Sequence, residues 1–116
     1  MAGGLTTHVL DTTQEGPAVG VEVILQRVDT TGNTETITRG TTNTDGRLDD
    51  PLLTADQMES GTYQLLFEVG AYYREGPSDS TFLETVPVRF TISEPDDHYH
   101  VPLLLSPGGY TTYRGS

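Results

Sequence analysis

The chain contains no cysteine, no tryptophan and no lysine. Without cysteine there is no disulfide framework and no thiolate metal site, a composition that suits a reducing compartment. Long apolar runs are missing as well, so no segment reads as a membrane-spanning helix. The opening Met1-Ala2-Gly3-Gly4 is uncharged and too short to read as a secretion signal, which makes the cytoplasm the expected location. Positive charge is scarce: 6 arginines face 17 acidic residues, for a formal net charge of −11. No basic stripe is available to neutralise phosphates, so nucleic acid is not an expected partner. The acids are scattered along the chain and do not form a block. Such a pattern keeps a surface solvated more than it docks a partner. Two kinds of catalytic motif are also missing, the strained Gly-x-Ser-x-Gly elbow and a glycine-rich phosphate loop.

What the chain does have is strand after strand. Its 116 residues fit a single domain, 1–116, with one core. Residues 4–10 alternate, with His8 and Leu10 on one face and Leu5, Thr7 and Val9 on the other. Val21, Val23 and Leu25 form an inner row, and a Thr-rich strand follows over about 34–43. Thr44-Asp45-Gly46 is a tight turn that delivers Arg47. A polar loop over 49–60 leads to a strand carrying Tyr63, Leu65, Phe67 and Val69. Ala71–Glu75, set between Gly70 and Gly76, reads as one short helix. Val86–Ile92 is a further strand, with Pro87 near its start, where a missing N–H is tolerated, and Tyr110–Tyr113 is the last. Seven to eight short strands and one short helix predict an all-β, two-sheet β-sandwich.

Residues 98–116 are the densest in reactive side chains. A strand over 98–106 turns Tyr99, Val101, Leu103 and Leu105 to the core, while His98, His100, Pro102, Leu104 and Ser106 share the other face. A water-facing side is ordinarily uniformly polar. The mixture here predicts that Leu10, Pro102 and Leu104, exposed on a single chain, are covered by another subunit.

Imidazole titrates near neutrality and can move protons at cellular pH. His8 and His100 share faces with leucines, which favours a partly desolvated site, whereas His98 fits a surface role with a possible supporting function. Arg47 reads either as a solvated turn residue or as a guanidinium fork for an oxyanion. Tyr113 reads either as a strand aromatic or as a wall of a binding pocket. Arg114 is expected to pair structurally with a nearby acid, Gly115 to let the tail approach closely, and Ser116 to fray or to reach a ligand. Three histidines invite a zinc reading, but no carboxylate has motif spacing with them, so no metal is expected.

Thr7-His8-Val9-Leu10-Asp11-Thr12, Gly16-Pro17-Ala18, Thr44-Asp45-Gly46-Arg47, His98-Tyr99-His100-Val101-Pro102 and the closing Tyr113-Arg114-Gly115-Ser116 occur here in a fixed order. In that order they resemble the 5-hydroxyisourate hydrolase branch of the transthyretin-like proteins over nearly the whole chain. Members usually carry glycine where this chain has Glu15, and an aromatic where it has Gly108. The resemblance implies a transthyretin-like sandwich assembled as a homotetramer, a dimer of dimers, with sites between subunits. It also implies a cofactor-free cyclic amide hydrolase of urate degradation, converting 5-hydroxyisourate to 2-oxo-4-hydroxy-4-carboxy-5-ureidoimidazoline. The expected catalytic residues are His8, Arg47 and His100. His8, Arg47, Tyr113 and Ser116 are expected to bind substrate, with His98 and Arg114 behind them. The alternative is a non-catalytic small-ligand binding module on the same sandwich, like the hormone carriers, which replace the side chains at 8, 47, 100 and 113.

Overall fold

The computed structural model describes residues 3–76 and 82–115. Strands β1 (Gly4–Asp11), β2 (Gly16–Pro17), β7 (His98–Ser106) and β8 (Gly109–Thr112) form one sheet in the order β2-β1-β7-β8. Strands β3 (Glu22–Val28), β4 (Thr34–Thr41), β5 (Gly61–Phe67) and β6 (Val86–Ile92) form the other in the order β4-β3-β5-β6. The helix α1 (Val69–Arg74) follows β5, and a 3-10 turn spans Ala55–Gln57. The two-sheet sandwich read from the alternation is therefore present.

Each strand supplies one apolar row, and the rows meet between the sheets. Leu5, Val9, Leu103 and Leu105 from one sheet and Val23, Leu25, Leu65 and Phe67 from the other are fully buried. Thr7 sits among them because its hydroxyl donates to the Val101 carbonyl at 2.6 Å, which satisfies a polar group that burial would otherwise penalise. Asp11, at the end of β1, is buried as a carboxylate with donors around it. Thr13 donates to it from its amide and hydroxyl at 3.0 and 2.6 Å, and the Tyr72 hydroxyl does so at 2.7 Å. Those contacts fasten α1 to β1. Desolvation, with the Asp11 charge adding to it, raises both tyrosines of the helix, Tyr73 to about 12.

One pairing controls the functional face. β1 and β7 run parallel, with Thr6 opposite His100, His8 opposite Pro102 and Leu10 opposite Leu104. Parallel neighbours need a long crossover, and here almost the entire chain is that crossover. The outward face of the other sheet is crossed by a polar row. The Gln26 amide donates to Thr36 at 3.5 Å, Gln64 donates to Gln26 at 3.1 Å and Arg89 donates to Gln64 at 3.2 Å.

Two local expectations needed correction. The apolar alternation of β5 does not run on to Val69: the strand stops at Phe67, and Val69 is buried as the first residue of α1. Pro102 is buried on the single chain, and Leu10 and Leu104 are half-buried rather than open. Pro102 stands beside His8 on one side, while the Thr112 hydroxyl bonds its carbonyl at 2.8 Å on the other, so a short ring is shaded by larger neighbours. Pro87 stands near the start of β6 as expected, and β6 is an edge strand, where a missing N–H is tolerated. Glu15 adopts a left-handed φ of 56°, a conformation that glycine takes without penalty.

Candidate active site

His8 projects from the outward face of β1, and the turn after β4 is folded against it. Asn43 organises that turn. Its side-chain oxygen accepts from the amides of Asp45 at 2.8 Å and Arg47 at 3.2 Å, and its backbone amide donates to the Arg47 carbonyl at 2.7 Å. Gly46 completes the turn with φ 76°, and a Cβ there would run into the Val9 carbonyl. This closeness lets Val9 donate to the Gly46 carbonyl at 2.8 Å, pairs His8 with Arg47 across a single bridge, and puts the Asp45 carbonyl 2.8 Å from His8 Nε2. A carbonyl only accepts, so His8 Nε2 carries the hydrogen. In the neutral ring Nδ1 then holds the lone pair.

His100 lies on the same face, one strand over, and is half-buried. Its Nδ1 is 2.8 Å from the Thr6 hydroxyl. Gly115 is bridged to it from the other side, its amide donating to the His100 carbonyl at 2.7 Å. A Cβ on Gly115 would lie 2.7 Å from the His100 ring, so only glycine admits this approach. Burial first, then the charges of Arg47, His8 and His98, lower the proton affinity of His100 below the ordinary imidazole value. The ring is therefore kept neutral at physiological pH.

Arg47 is exposed at the edge of this face. Arg27, Arg39 and Arg74 pair with Glu59, Glu22 and Glu84, and Arg89 donates to Gln64. The Arg47 guanidinium engages no acceptor among the described residues. His98 is exposed; its ring stacks on His100 with centroids 6.4 Å apart, and its Nε2 is 3.4 Å from the Thr6 hydroxyl. Both rings thus aim one nitrogen at the same oxygen, and no group of three His, Cys, Asp or Glu suited to a metal occurs among the described residues.

Tyr113 is 55% exposed and lines a groove of about 300 Å³ between the edges of β6 and β8, with Val88, Phe90, Tyr99 and Arg114. Neither His8 nor His100 lines that groove. Arg114 finds a different partner from the acid expected. It donates to the His98 carbonyl at 3.0 Å and lies 4.1 Å over the Tyr99 ring, so it braces β7. Ser116 lies outside the described residues. Two residues of the site escaped the sequence reading, Thr6 and Asn43. Asn43 had a signal, standing two residues before Asp45-Gly46 as in an Asx turn. Thr6 had only its parity with His8.

A family model described as HIUase/Transthyretin matches residues 5–115. The chain belongs to that family. It is 52% identical over 119 residues to a 5-hydroxyisourate hydrolase of Halalkalibacterium halodurans, covering 100% of both chains. Its fold superposes on the Klebsiella pneumoniae 5-hydroxyisourate hydrolase with a TM-score of 0.83 at 37% identity, covering 98% of this chain and 99% of that one. Sea bream transthyretin in complex with thyroxine superposes with a TM-score of 0.86 at 31% identity, covering 96% and 93%. The HIUase/Transthyretin scaffold therefore hosts a hydrolase and a hormone binder alike. The sandwich alone therefore does not distinguish them.

Proposed function

We propose that this protein hydrolyses 5-hydroxyisourate to 2-oxo-4-hydroxy-4-carboxy-5-ureidoimidazoline, as a step of urate degradation. One observation carries the reading. His8, Arg47 and His100 meet on one face, and each imidazole is held through one nitrogen, which leaves the other for chemistry. Ring opening of a cyclic amide by water needs a base for the water, stabilisation of the oxyanion and a proton for the leaving nitrogen. The two imidazoles supply the base and, once it has taken the proton, the acid. Arg47 offers a planar fork of donors to the developing negative charge, a fit that lysine lacks. In this reading Tyr113 and Ser116 close on the substrate, and no cofactor takes part. A pure binding module would have no use for two imidazoles held in this way.

The same reading places the protein in the cytoplasm as a homotetramer whose sites lie between subunits. Leu10 and Leu104, half-buried beside His8 and His100, form the surface that a second dimer would cover. Leu104→Glu should then lower both mass and activity, and sedimentation of the native protein at micromolar concentration should give four chains. A fully active monomer would remove the interface from the mechanism. The activity itself is tested by adding the protein to freshly oxidised urate and following the ultraviolet decay of the intermediate. Decay at the spontaneous rate would overturn the hydrolase reading in favour of ligand binding.

A further inference from the structure

Thr6 and Thr7 are neighbours in β1 with opposite fates. Thr7 faces inward and gives its hydroxyl to the Val101 carbonyl, a contact that serves only the core. Thr6 faces outward, in register with His100, and its hydroxyl is 2.8 Å from His100 Nδ1 and 3.4 Å from His98 Nε2. An outward threonine on a strand ordinarily gives its hydroxyl to water. This one is set between two stacked imidazoles instead.

We infer that Thr6 is the positioning residue of His100: its hydroxyl grips Nδ1, fixes the orientation of the ring, and so turns Nε2 to the substrate. The inference rests on the hydrolase reading for what Nε2 does, but the grip itself is a property of the free protein. A hydroxyl is one donor with lone pairs to spare, so it can hold a ring nitrogen of either kind while its second contact disposes of the remaining hydrogen or lone pair. His98 is that second contact. Gly115 lies along the carbon edge of the same ring, where a Cβ would collide with it, and its amide donates to the His100 carbonyl, so His100 is flanked on two sides. A histidine fixed by the partner of its other nitrogen is oriented and tuned without that partner touching substrate. The longer and more exposed contact to His98 makes it the weaker member of the trio.

The test uses the full-length protein in four forms: wild type, Thr6→Val, Thr6→Ser and Thr7→Val. Valine keeps the shape and strand preference of threonine while removing the hydroxyl. Thr6→Val should lower kcat by about 10- to 100-fold, the scale seen when the oriented partner of a functional histidine is lost, with KM changed by less than about threefold. Thr6→Ser should recover most of kcat. Thr7→Val should instead lower the melting temperature and leave kcat per folded molecule within about twofold of wild type. Nitrogen-15 spectra of the His100 ring, recorded without substrate, should show an Nδ1 resonance that coincides in wild type and Thr6→Ser and is shifted in Thr6→Val, where its hydrogen-bond partner is gone. Unchanged ring shifts in Thr6→Val overturn the positioning role, as does a kcat equal to wild type. If the wild type itself failed to consume 5-hydroxyisourate, the hydrolase reading would fall while the ring spectra still decided whether Thr6 grips His100.

Discussion

On the outward face of the β4-β3-β5-β6 sheet, Thr36, Gln26, Gln64 and Arg89 form a row in which each side chain is a partner to the next. On the outward face of the β2-β1-β7-β8 sheet, Thr6, His8, His98 and His100 are also bonded, but to groups that engage one ring nitrogen each. The first row closes on itself and asks nothing of a ligand. The second holds its rings in place and, among the described residues, leaves their other nitrogens unspent, beside a guanidinium that is equally uncommitted. Polar residues on a strand are thus distinguished less by type than by whether their hydrogen bonds satisfy them.

That contrast can be broken most sharply at the histidines. His8→Ala and His100→Ala should each cut turnover by ~10²-fold or more, the scale of general acid–base groups, with melting nearly unchanged. Near-normal turnover in either variant, measured by ultraviolet decay, would move that residue to the passive class. The pH profile sharpens the same point. Because burial and then the positive charges of Arg47, His8 and His98 lower the proton affinity of His100, turnover should persist somewhat below the ordinary imidazole value. It should then fall as acid charges the ring; a fall at or above that ordinary value would contradict the neutral base.

Arg47→Lys comes next. It keeps the charge and loses the fork, so kcat/KM should drop by roughly tenfold; full rate with lysine would reduce Arg47 to a point charge. Gly115→Ala should have a smaller effect, about fivefold on kcat, because its Cβ must displace the His100 ring that it would meet at 2.7 Å. Unaltered kcat there would mean that the ring gives way without consequence. On the closed row, Gln64→Ala should leave turnover within error and change stability by no more than about 0.5 kcal/mol by urea denaturation. A measurable loss of activity at Gln64 would show that the two faces are not independent.

Alternation made most of this legible. It put the two catalytic candidates on outward faces, put Leu103 and Leu105 in the core, and supplied the strands of both sheets. The tight turn at Asp45-Gly46 was legible too, because glycine there has a backbone reason. Periodicity has no access to register between distant strands, so nothing in the order of residues placed Thr6 opposite His100. It also cannot tell when an apolar row changes element, which is why Val69 read as strand and folds as helix. The partner of Arg114 was missed for a related reason. A carbonyl and a ring face, the groups it uses, leave no charge pattern in a sequence.

The contact between Thr6 and His100 joins residues 94 positions apart, through a parallel pair whose crossover is nearly the whole chain. Closing so long a loop costs entropy before any local contact repays it, which makes non-local pairing slow among the steps of folding. The hairpin neighbours β3 and β4 carry no such burden. On dilution out of urea, the contact between His100 and Thr6 is therefore expected among the slower events. Recovery of catalytic activity then becomes a direct report that its two distant strands have met.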